Sequence, residues 1–292
     1  MEKLDLPPGE AWKKHRHTVQ ILSSTDLKSW KTESVVEGGI GEDKYLHECP
    51  DLVPLSLDNK PEKTKWVLFG ANGEYAIGEF DGRTFISEQE RLPGPCGKGW
   101  AYYAGQTFSG VPDGRVILMA WGPAASPGMP FNQLMTVPVE LSLRSTPDGP
   151  RLFRQPVREL KGLRDGPSQA NALEEFRAEL FELVAEFEAK DDKAAGPVTF
   201  WLRGCKLTYD NAKAEWSIDG HTFRVPANGG AQKIRVFVDR TFMEIFAGDG
   251  LVYVPVPMLV DPQNLSVRVN IPESVKMKNL EIYRLKSIWK ES

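Results

Sequence analysis

The sequence predicts an all-β protein. Its 292 residues include 22 prolines and 26 glycines, spread along the whole chain, which favours short strands and many turns over long helices. From Phe176 onward, nine strand-like runs follow at short intervals, separated by turn sequences such as Asp219-Gly220 and Asn228-Gly-Gly230. This spacing is typical of a β-sandwich. With 41% hydrophobic residues, the chain can bury a real core and is long enough for two domains.

The first half contains a weak internal repeat. One five-residue pattern occurs twice: an aspartate, any residue, a basic residue, a residue with a hydroxyl group and an aromatic residue. It is found at Asp26-Leu-Lys-Ser-Trp30 and at Asp81-Gly-Arg-Thr-Phe85, so the two aspartates are 55 residues apart. Two strand-like runs, 65–69 and 75–80, lie between them around the turn Asn72-Gly73. The period suits a four-stranded blade of a β-propeller, for which roughly 40–50 residues is typical. Residues 1–155 would then hold about three blades.

Composition and patterning exclude several classes of protein. The net charge of −4 without a basic stripe argues against a nucleic-acid partner. The longest apolar run, 116–121, is too short to span a membrane. The N-terminus lacks the apolar stretch of a signal peptide, which leaves the compartment open.

Neither a metal nor a cofactor is predicted, because the histidines and cysteines form no ligand pattern. The cysteines are Cys49, Cys96 and Cys205. His15 and His17 are expected to be a solvated surface pair.

Residues 180–188 fit two kinds of secondary structure. The apolar residues at 180, 183, 184 and 187 follow helical spacing, whereas those at 181, 183, 185 and 187 alternate with glutamates as in a strand. Periodicity does not decide between them, and the Ala, Glu and Leu content favours a helix.

Four segments form a motif set that is more specific than composition. In chain order they are His47-Glu-Cys-Pro-Asp-Leu-Val-Pro-Leu55, Tyr102-Tyr-Ala-Gly-Gln-Thr-Phe108, Pro138-Val-Glu-Leu-Ser-Leu-Arg144 and Val238-Asp-Arg-Thr-Phe-Met-Glu-Ile-Phe246. They resemble glycoside hydrolase family 32, the β-fructosidases (invertases, levanases and inulinases). The resemblance covers nearly the whole chain but only the later part of the family's length.

The resemblance implies a partial β-propeller of the five-bladed type followed by a C-terminal β-sandwich. The expected domains are a partial propeller over 1–155, a connector over 156–175 and a sandwich over 176–292. The first sandwich strand would fall at 180–188, so we predict a strand there, with its apolar residues facing the core and its glutamates facing water.

The resemblance also makes Glu48 the candidate acid/base residue. A retaining glycosidase uses two carboxylates, one to attack the anomeric carbon and one to protonate the departing oxygen and later activate water. The proton donor needs a raised pKa. The alternative for Glu48 is an ordinary exposed loop carboxylate. Asp51 is expected to shape the same loop. Asp239, Arg240 and Glu244 are expected to form a surface network without a chemical role.

The second carboxylate is missing from this chain. In the family it comes from an Asn-Asp-Pro-Asn motif, which does not occur here, and neither does the family's Arg-Asp-Pro motif. Asp165, in Arg164-Asp-Gly166, imitates the latter but follows the last propeller segment. Asp261 lies inside the expected sandwich. Neither is assigned as a nucleophile.

Tyr103 and Trp121 are the candidate sugar-binding residues, because aromatic faces stack on the apolar faces of sugars. Core packing is the alternative for both, and it is the favoured interpretation for Tyr102.

Glu48 is expected at the end of a propeller strand, pointing toward the propeller axis with Trp121 nearby. The space for the missing carboxylate would lie about 5–5.5 Å away, and the pKa of Glu48 would be raised less than in an intact site.

Two functions remain open at this point. The chain is either part of a retaining hydrolase of β-fructofuranosides or an inactive carbohydrate-binding or assembly module. The expected partners are a fructose-containing saccharide and, through exposed propeller edges, a second copy or a complementary N-terminal chain.

Overall fold

A computed structural model describes residues 14–95, 101–188, 196–226, 231–258 and 260–289. Cys96 lies outside the described residues. Within them, twenty-one strands form five antiparallel sheets, and no sheet closes on itself. Short 3-10 segments at Pro61–Lys63, Pro112–Gly114, Arg158–Leu163 and Ala170–Ala172 interrupt them. None of these described helical segments is long and apolar enough to cross a bilayer.

The first half of the chain forms three sheets, here named A, B and C. Sheet A pairs β1 (Arg16–Ser23) with β2 (Lys31–Ile40). Sheet B contains β3 (Asp51–Ser56), β4 (Thr64–Phe69), β5 (Tyr75–Phe80) and β6 (Phe85–Ser87) in chain order. Sheet C contains β7 (Tyr103–Thr107), β8 (Val116–Gly122), β9 (Leu134–Met135), β10 (Val139–Thr146) and β11 (Gly149–Pro156), in the order β11-β10-β8-β7 with β9 beside β8.

The repeat found in the sequence corresponds to the same turn in two sheets. The Asp26 carboxylate accepts hydrogen bonds from the backbone N–H groups two and three residues later, both at 2.8 Å. Asp81 does the same at 2.8 and 2.7 Å. Such side-chain-to-backbone bonds fix a tight turn. Asp26 lies between β1 and β2, and Asp81 lies between β5 and β6, so the repeated pattern forms the same kind of connection between antiparallel strands in sheets A and B.

The second half of the chain forms sheets D and E. Sheet D has the order β19-β18-β17-β12-β21 and sheet E the order β16-β15-β14-β13-β20. The nine runs expected from the sequence correspond to β13 through β21. These strands are β12 (Phe181–Glu188), β13 (Val198–Leu202), β14 (Cys205–Asp210), β15 (Glu215–Ile218), β16 (His221–Phe223), β17 (Ala231–Val238), β18 (Phe242–Ala247), β19 (Val252–Pro257), β20 (Val267–Asn270) and β21 (Lys276–Arg284).

Sheets D and E bury one hydrophobic cluster between them. Trp216 is fully buried at its centre and stacks on Phe200 and Phe223, with ring centroids 6.3 and 6.1 Å away. Its indole N–H donates to Gln232 Oε1 at 2.9 Å. This bond satisfies the one polar group that a buried tryptophan carries.

Residues 181–188 form strand β12, which confirms the strand prediction. The strand pairs with both β17 and β21, so tertiary pairing overrides the helical propensity of its residues. The expectation that its glutamates face water was wrong for Glu182, which is 1% exposed. Arg164 binds Glu182 through two hydrogen bonds of 2.7 and 2.9 Å, and Arg235 approaches it to 3.2 Å. The segment containing Arg164 covers this face of sheet D.

Strand β18 is buried on both faces. Met243, Ile245 and Ala247 face sheet E, whereas Phe246 joins the cluster formed by sheets B and C. Glu244 lies on this second face and is 4% exposed, so its expected place in a surface network was wrong. The sequence carried a signal of this burial, since strands covered on both faces read as nearly continuous apolar runs.

Candidate functional site

Glu48 lies in a loop three residues before β3. Its neighbours Leu46 and Cys49 have φ angles of 53° and 45°, a conformation that non-glycine residues rarely adopt. The Glu48 carbonyl accepts the Ala71 N–H at 2.8 Å, which ties the loop to the turn between β4 and β5. A side chain at Gly70 would meet Leu46 Cα at 3.0 Å, so this close approach favours glycine. The loop backbone is therefore fixed, while half of the Glu48 side chain is exposed.

The Gln-Thr motif on β7 fastens this loop from the other side. Gln106 Nε2 donates to the Cys49 carbonyl at 3.0 Å. The Asp51 carboxylate accepts the Thr107 N–H at 2.8 Å and the Thr107 hydroxyl at 2.7 Å. Asp51 thus has the loop-shaping contacts expected of it. These bonds place the start of β7 beside Glu48.

Tyr103 connects Glu48 to Trp121. The Tyr103 hydroxyl donates to Glu48 Oε2 at 2.6 Å. Its ring meets the Trp121 ring edge to face, with centroids 6.1 Å apart, because the two residues are register partners on β7 and β8. Trp121 Nε1 in turn donates to Gln133 Oε1. The structure thus brings the three candidate residues into one group on the protein surface, where Trp121 is 36% exposed. Tyr102 is buried in the core.

The surroundings of Glu48 favour its ionised form. The Tyr103 hydroxyl, followed by the nearby His47 and Lys44, holds the pKa of Glu48 below its ordinary value. This direction is opposite to the raised pKa that the sequence led us to expect. The physical reason is that the carboxylate is solvated and its described neighbours are hydrogen-bond donors and cations.

A histidine pair that the sequence did not reveal adjoins Glu48. His17 and His47 lie with their Nδ1 atoms 3.1 Å apart, and His17 Nε2 is 2.9 Å from the Gly41 carbonyl. His17 is therefore half-buried and paired, rather than part of a solvated pair with His15. Since a carbonyl only accepts, His17 Nε2 carries a proton and His47 Nδ1 donates to His17. That assignment directs His47 Nε2 toward Glu48, 3.5 Å from Oε1, and His47 pairs with the carboxylate when this nitrogen is protonated.

The other aspartates that imitate family motifs lie elsewhere in the fold. Asp165 pairs with Lys286 at 3.5 Å, and its N–H donates to the Arg284 carbonyl at the end of β21. Asp261 accepts the Gln263 N–H in a turn before β20. Within the described ranges, no group of three or more His, Cys, Asp or Glu residues is arranged to hold a metal ion.

Comparisons with known proteins agree on one family. The family model "Glycosyl hydrolases family 32 N-terminal domain" matches residues 9–156. The levanase of Bacillus subtilis is 27% identical over 93% of this chain and 47% of its own length. The extracellular exo-inulinase of Aspergillus awamori is 24% identical over 94% of this chain and 61% of its own.

Solved structures show the same fold. The crystal structure of exo-inulinase from Aspergillus awamori superposes with a TM-score of 0.77 at 21% identity, covering 94% of this chain and 63% of that one. The β-fructofuranosidase of Schwanniomyces occidentalis, solved with fructosyl-erythritol, gives a TM-score of 0.73. The chain spans about half the length of the curated relatives it matches. On the family match over half of its residues, the chain belongs to glycosyl hydrolase family 32.

Proposed function

We propose that this chain is the later part of a β-fructosidase architecture. Sheet A is the outer half of one propeller blade, and sheets B and C are the next two blades. Residues 156–175 are the connector, and sheets D and E are the two layers of a β-sandwich. The equivalence of the Asp26 and Asp81 turns supports the first assignment. The cluster shared by sheets D and E supports the second.

The proposed activity is retaining hydrolysis of β-fructofuranosides, with Glu48 as the acid/base residue. Glu48 would protonate the departing oxygen and afterwards take a proton from the water that releases the sugar. The observation that carries this assignment is Tyr103, which contacts both Glu48 and Trp121. Its hydroxyl stabilises the carboxylate that Glu48 becomes once its proton has left. Trp121 and Tyr103 would provide the aromatic surface for the fructosyl ring.

We place the attacking carboxylate outside the 292 residues, since they contain no Asn-Asp-Pro-Asn motif. In an intact site that carboxylate would also raise the pKa of Glu48, because a nearby negative charge disfavours the ionised form. A complementary N-terminal chain is the proposed source. No metal or cofactor enters the reaction.

A second candidate function is an inactive carbohydrate-binding module. The low pKa of Glu48 favours this alternative, since a carboxylate that is ionised when free is a poor proton donor. Both functions share one prediction, which is that fructosides bind at Glu48, Tyr103 and Trp121.

The decisive experiment measures binding and hydrolysis on the same preparation. Fructose release from sucrose, inulin and levan is expected to be absent, because losing one member of a catalytic unit costs several orders of magnitude in rate. Binding of a fructo-oligosaccharide should change tryptophan fluorescence, and Trp121→Ala should weaken it. Glu62→Gln, at an exposed residue, is the control for Glu48→Gln.

Two results would contradict the proposal. Fructose release that disappears in Glu48→Gln but persists in Glu62→Gln would mean that a carboxylate of this chain acts as the nucleophile. Failure of every fructoside to bind would remove both candidate functions.

A further inference from the structure

A large cleft lies apart from Glu48, between sheet C and the second half of the chain. Its volume is about 900 Å³, and the β10–β11 hairpin and the β18–β19 turn form its sides. Its lining does not include the residues of the Glu48 group. Three arginines of the hairpin line it: Arg144, Arg151 and Arg154.

These arginines lack acidic partners. Among the described residues, no carboxylate oxygen lies within ion-pairing distance of any of the three guanidinium groups. Arg144 instead lies over the Phe153 ring at 4.6 Å and donates to Ser142, while Arg151 donates to the Pro150 carbonyl. Acidic residues do line the cleft, namely Asp148, Glu186 and Asp249. Asp249 forms an ion pair with Lys233, whose Nζ lies 2.6 Å from Asp249 Oδ1.

Arg154 differs from its two neighbours because it is buried. Only 4% of the residue is exposed, and its Nε has no hydrogen-bond partner among the residues that the structure describes. Its guanidinium carbon lies 5.7 Å from the centre of the Tyr75 ring. Removing a charge from water is unfavourable unless a partner compensates it. The Arg154 guanidinium is therefore buried at the cleft without an acidic partner, although acidic side chains line other parts of the cleft.

The backbone fixes Arg154 in this position. Its N–H donates to the Gly250 carbonyl at 2.9 Å. A side chain at Gly250 would come within 2.1 Å of the Arg154 carbonyl oxygen, so the turn packs directly on β11. The backbone of Arg154 is thus fixed at the wall of the cleft by the β18–β19 turn, and its guanidinium lies near the Tyr75 ring.

We propose that this cleft binds a tetrahedral oxyanion, such as a phosphate group, on Arg154. The planar guanidinium offers donors in a fork that matches phosphate oxygens and binds them more strongly than neutral acceptors. Arg144 and Arg151 raise the positive potential at the same place. Tyr75 also lines the cleft, and its hydroxyl accepts the Leu152 N–H at 3.1 Å, which holds its ring beside Arg154.

The test compares thermal unfolding of the full chain in inorganic phosphate and in chloride at equal ionic strength. Phosphate should raise the melting temperature of the wild type in a dose-dependent way, because a ligand of the native state stabilises it. Arg154→Gln should lose this rise, and the apparent phosphate affinity should fall at least about tenfold. Arg268→Gln is the matched control, since Arg268 is exposed and lies outside the cleft.

A second readout separates binding from a structural role. In chloride, Arg154→Gln should unfold at the same temperature as the wild type or higher, because the substitution removes an uncompensated buried charge. Arg154→Lys keeps the charge without the fork and should bind phosphate at an intermediate affinity. Glu48→Gln should retain the full phosphate effect. Equal loss of stability in both salts for Arg154→Gln, or equal protection of that variant by phosphate, would overturn the proposal.

The source of the oxyanion is distinguished by three probes: inorganic phosphate, fructose 6-phosphate and fructose. A larger shift with fructose 6-phosphate than with phosphate would assign the site to a phosphorylated sugar. Equal shifts would assign it to the free anion. A shift with fructose but none with phosphate would refute an oxyanion site.

Discussion

Glu244→Gln should abolish one component of the pH dependence of stability. Glu244 lies at the contact between sheets C and D, where its Oε1 accepts the Val137 N–H at 2.8 Å and its Oε2 accepts the Tyr253 hydroxyl. Burial raises the pKa of Glu244 to about 8, against an ordinary value of 4.5. Glutamine preserves the shape. Its oxygen can accept from Val137 while its amide donates to Tyr253.

The sign follows from proton binding. Between pH 4.5 and 8 the folded protein holds a proton on Glu244 that the unfolded chain has released. The free energy of unfolding therefore falls as pH rises through this range, by at most about 1.4 kcal/mol for each pH unit. Between pH 5.5 and 7.5 the loss should reach about 2.5 kcal/mol, because the folded protein begins to release this proton as the pH nears 8. The glutamine variant does not titrate, so its stability relative to the wild type should rise by this amount.

Urea unfolding at several pH values between 5.5 and 7.5 measures the difference directly. Taking the variant minus the wild type cancels the other titrating groups, and Glu62→Gln controls for removing an exposed carboxylate. Parallel stability profiles for the wild type and Glu244→Gln would refute the reasoning, since they would show that burial does not hold a proton on this side chain.

Three further predictions concern the core, the site and the exposed edge. Phe187→Ala should lower the free energy of unfolding by about 3–5 kcal/mol, because Phe187 is fully buried against Trp216; a loss below about 1 kcal/mol in urea would contradict this. Tyr103→Phe should raise the pKa of Glu48, measured by NMR titration, because the carboxylate loses its main donor; an unchanged or lower pKa would mean that solvent replaces the hydroxyl. The chain should self-associate through β1, because β2 is its only strand partner among the described residues. Leu22→Lys should reduce this association in light scattering, and a wild-type monomer at all concentrations would disprove it.

The sequence was informative where a pattern is local. Strands β13 to β21 could be placed because each run is short and is bounded by turn residues. The Asp26 and Asp81 turns could be paired because the same carboxylate-to-backbone bonds need the same residues. The motifs around Glu48 and on β7 indicated which residues would meet, although their roles in binding and catalysis remain predictions.

The sequence was misleading where burial depends on a distant covering segment. Glu182 alternates with apolar residues like a solvent-facing glutamate, but its partner Arg164 is 18 residues away in another segment. Glu244 is buried for the same kind of reason, because sheet C covers the face of sheet D on which it lies. The pKa of Glu48 is set by Tyr103, 55 residues later in the chain. Alternation identifies the two faces of a strand, but it does not say what lies against each of them.

Strand β18, covered on both of its faces, restricts how this protein can be recombined with its relatives. Phe237, Phe246 and Tyr253 of the second half pack into the same cluster as residues of sheets B and C. A chimera joined between residues 156 and 175 would combine the first half of one protein with the second half of a relative. The side chains at this contact would then no longer fit each other, and Glu244 would lose the Val137 N–H to which it is matched. Exchange of the second half between family members should succeed only when these facing residues are transferred together, so they are expected to change in concert during evolution.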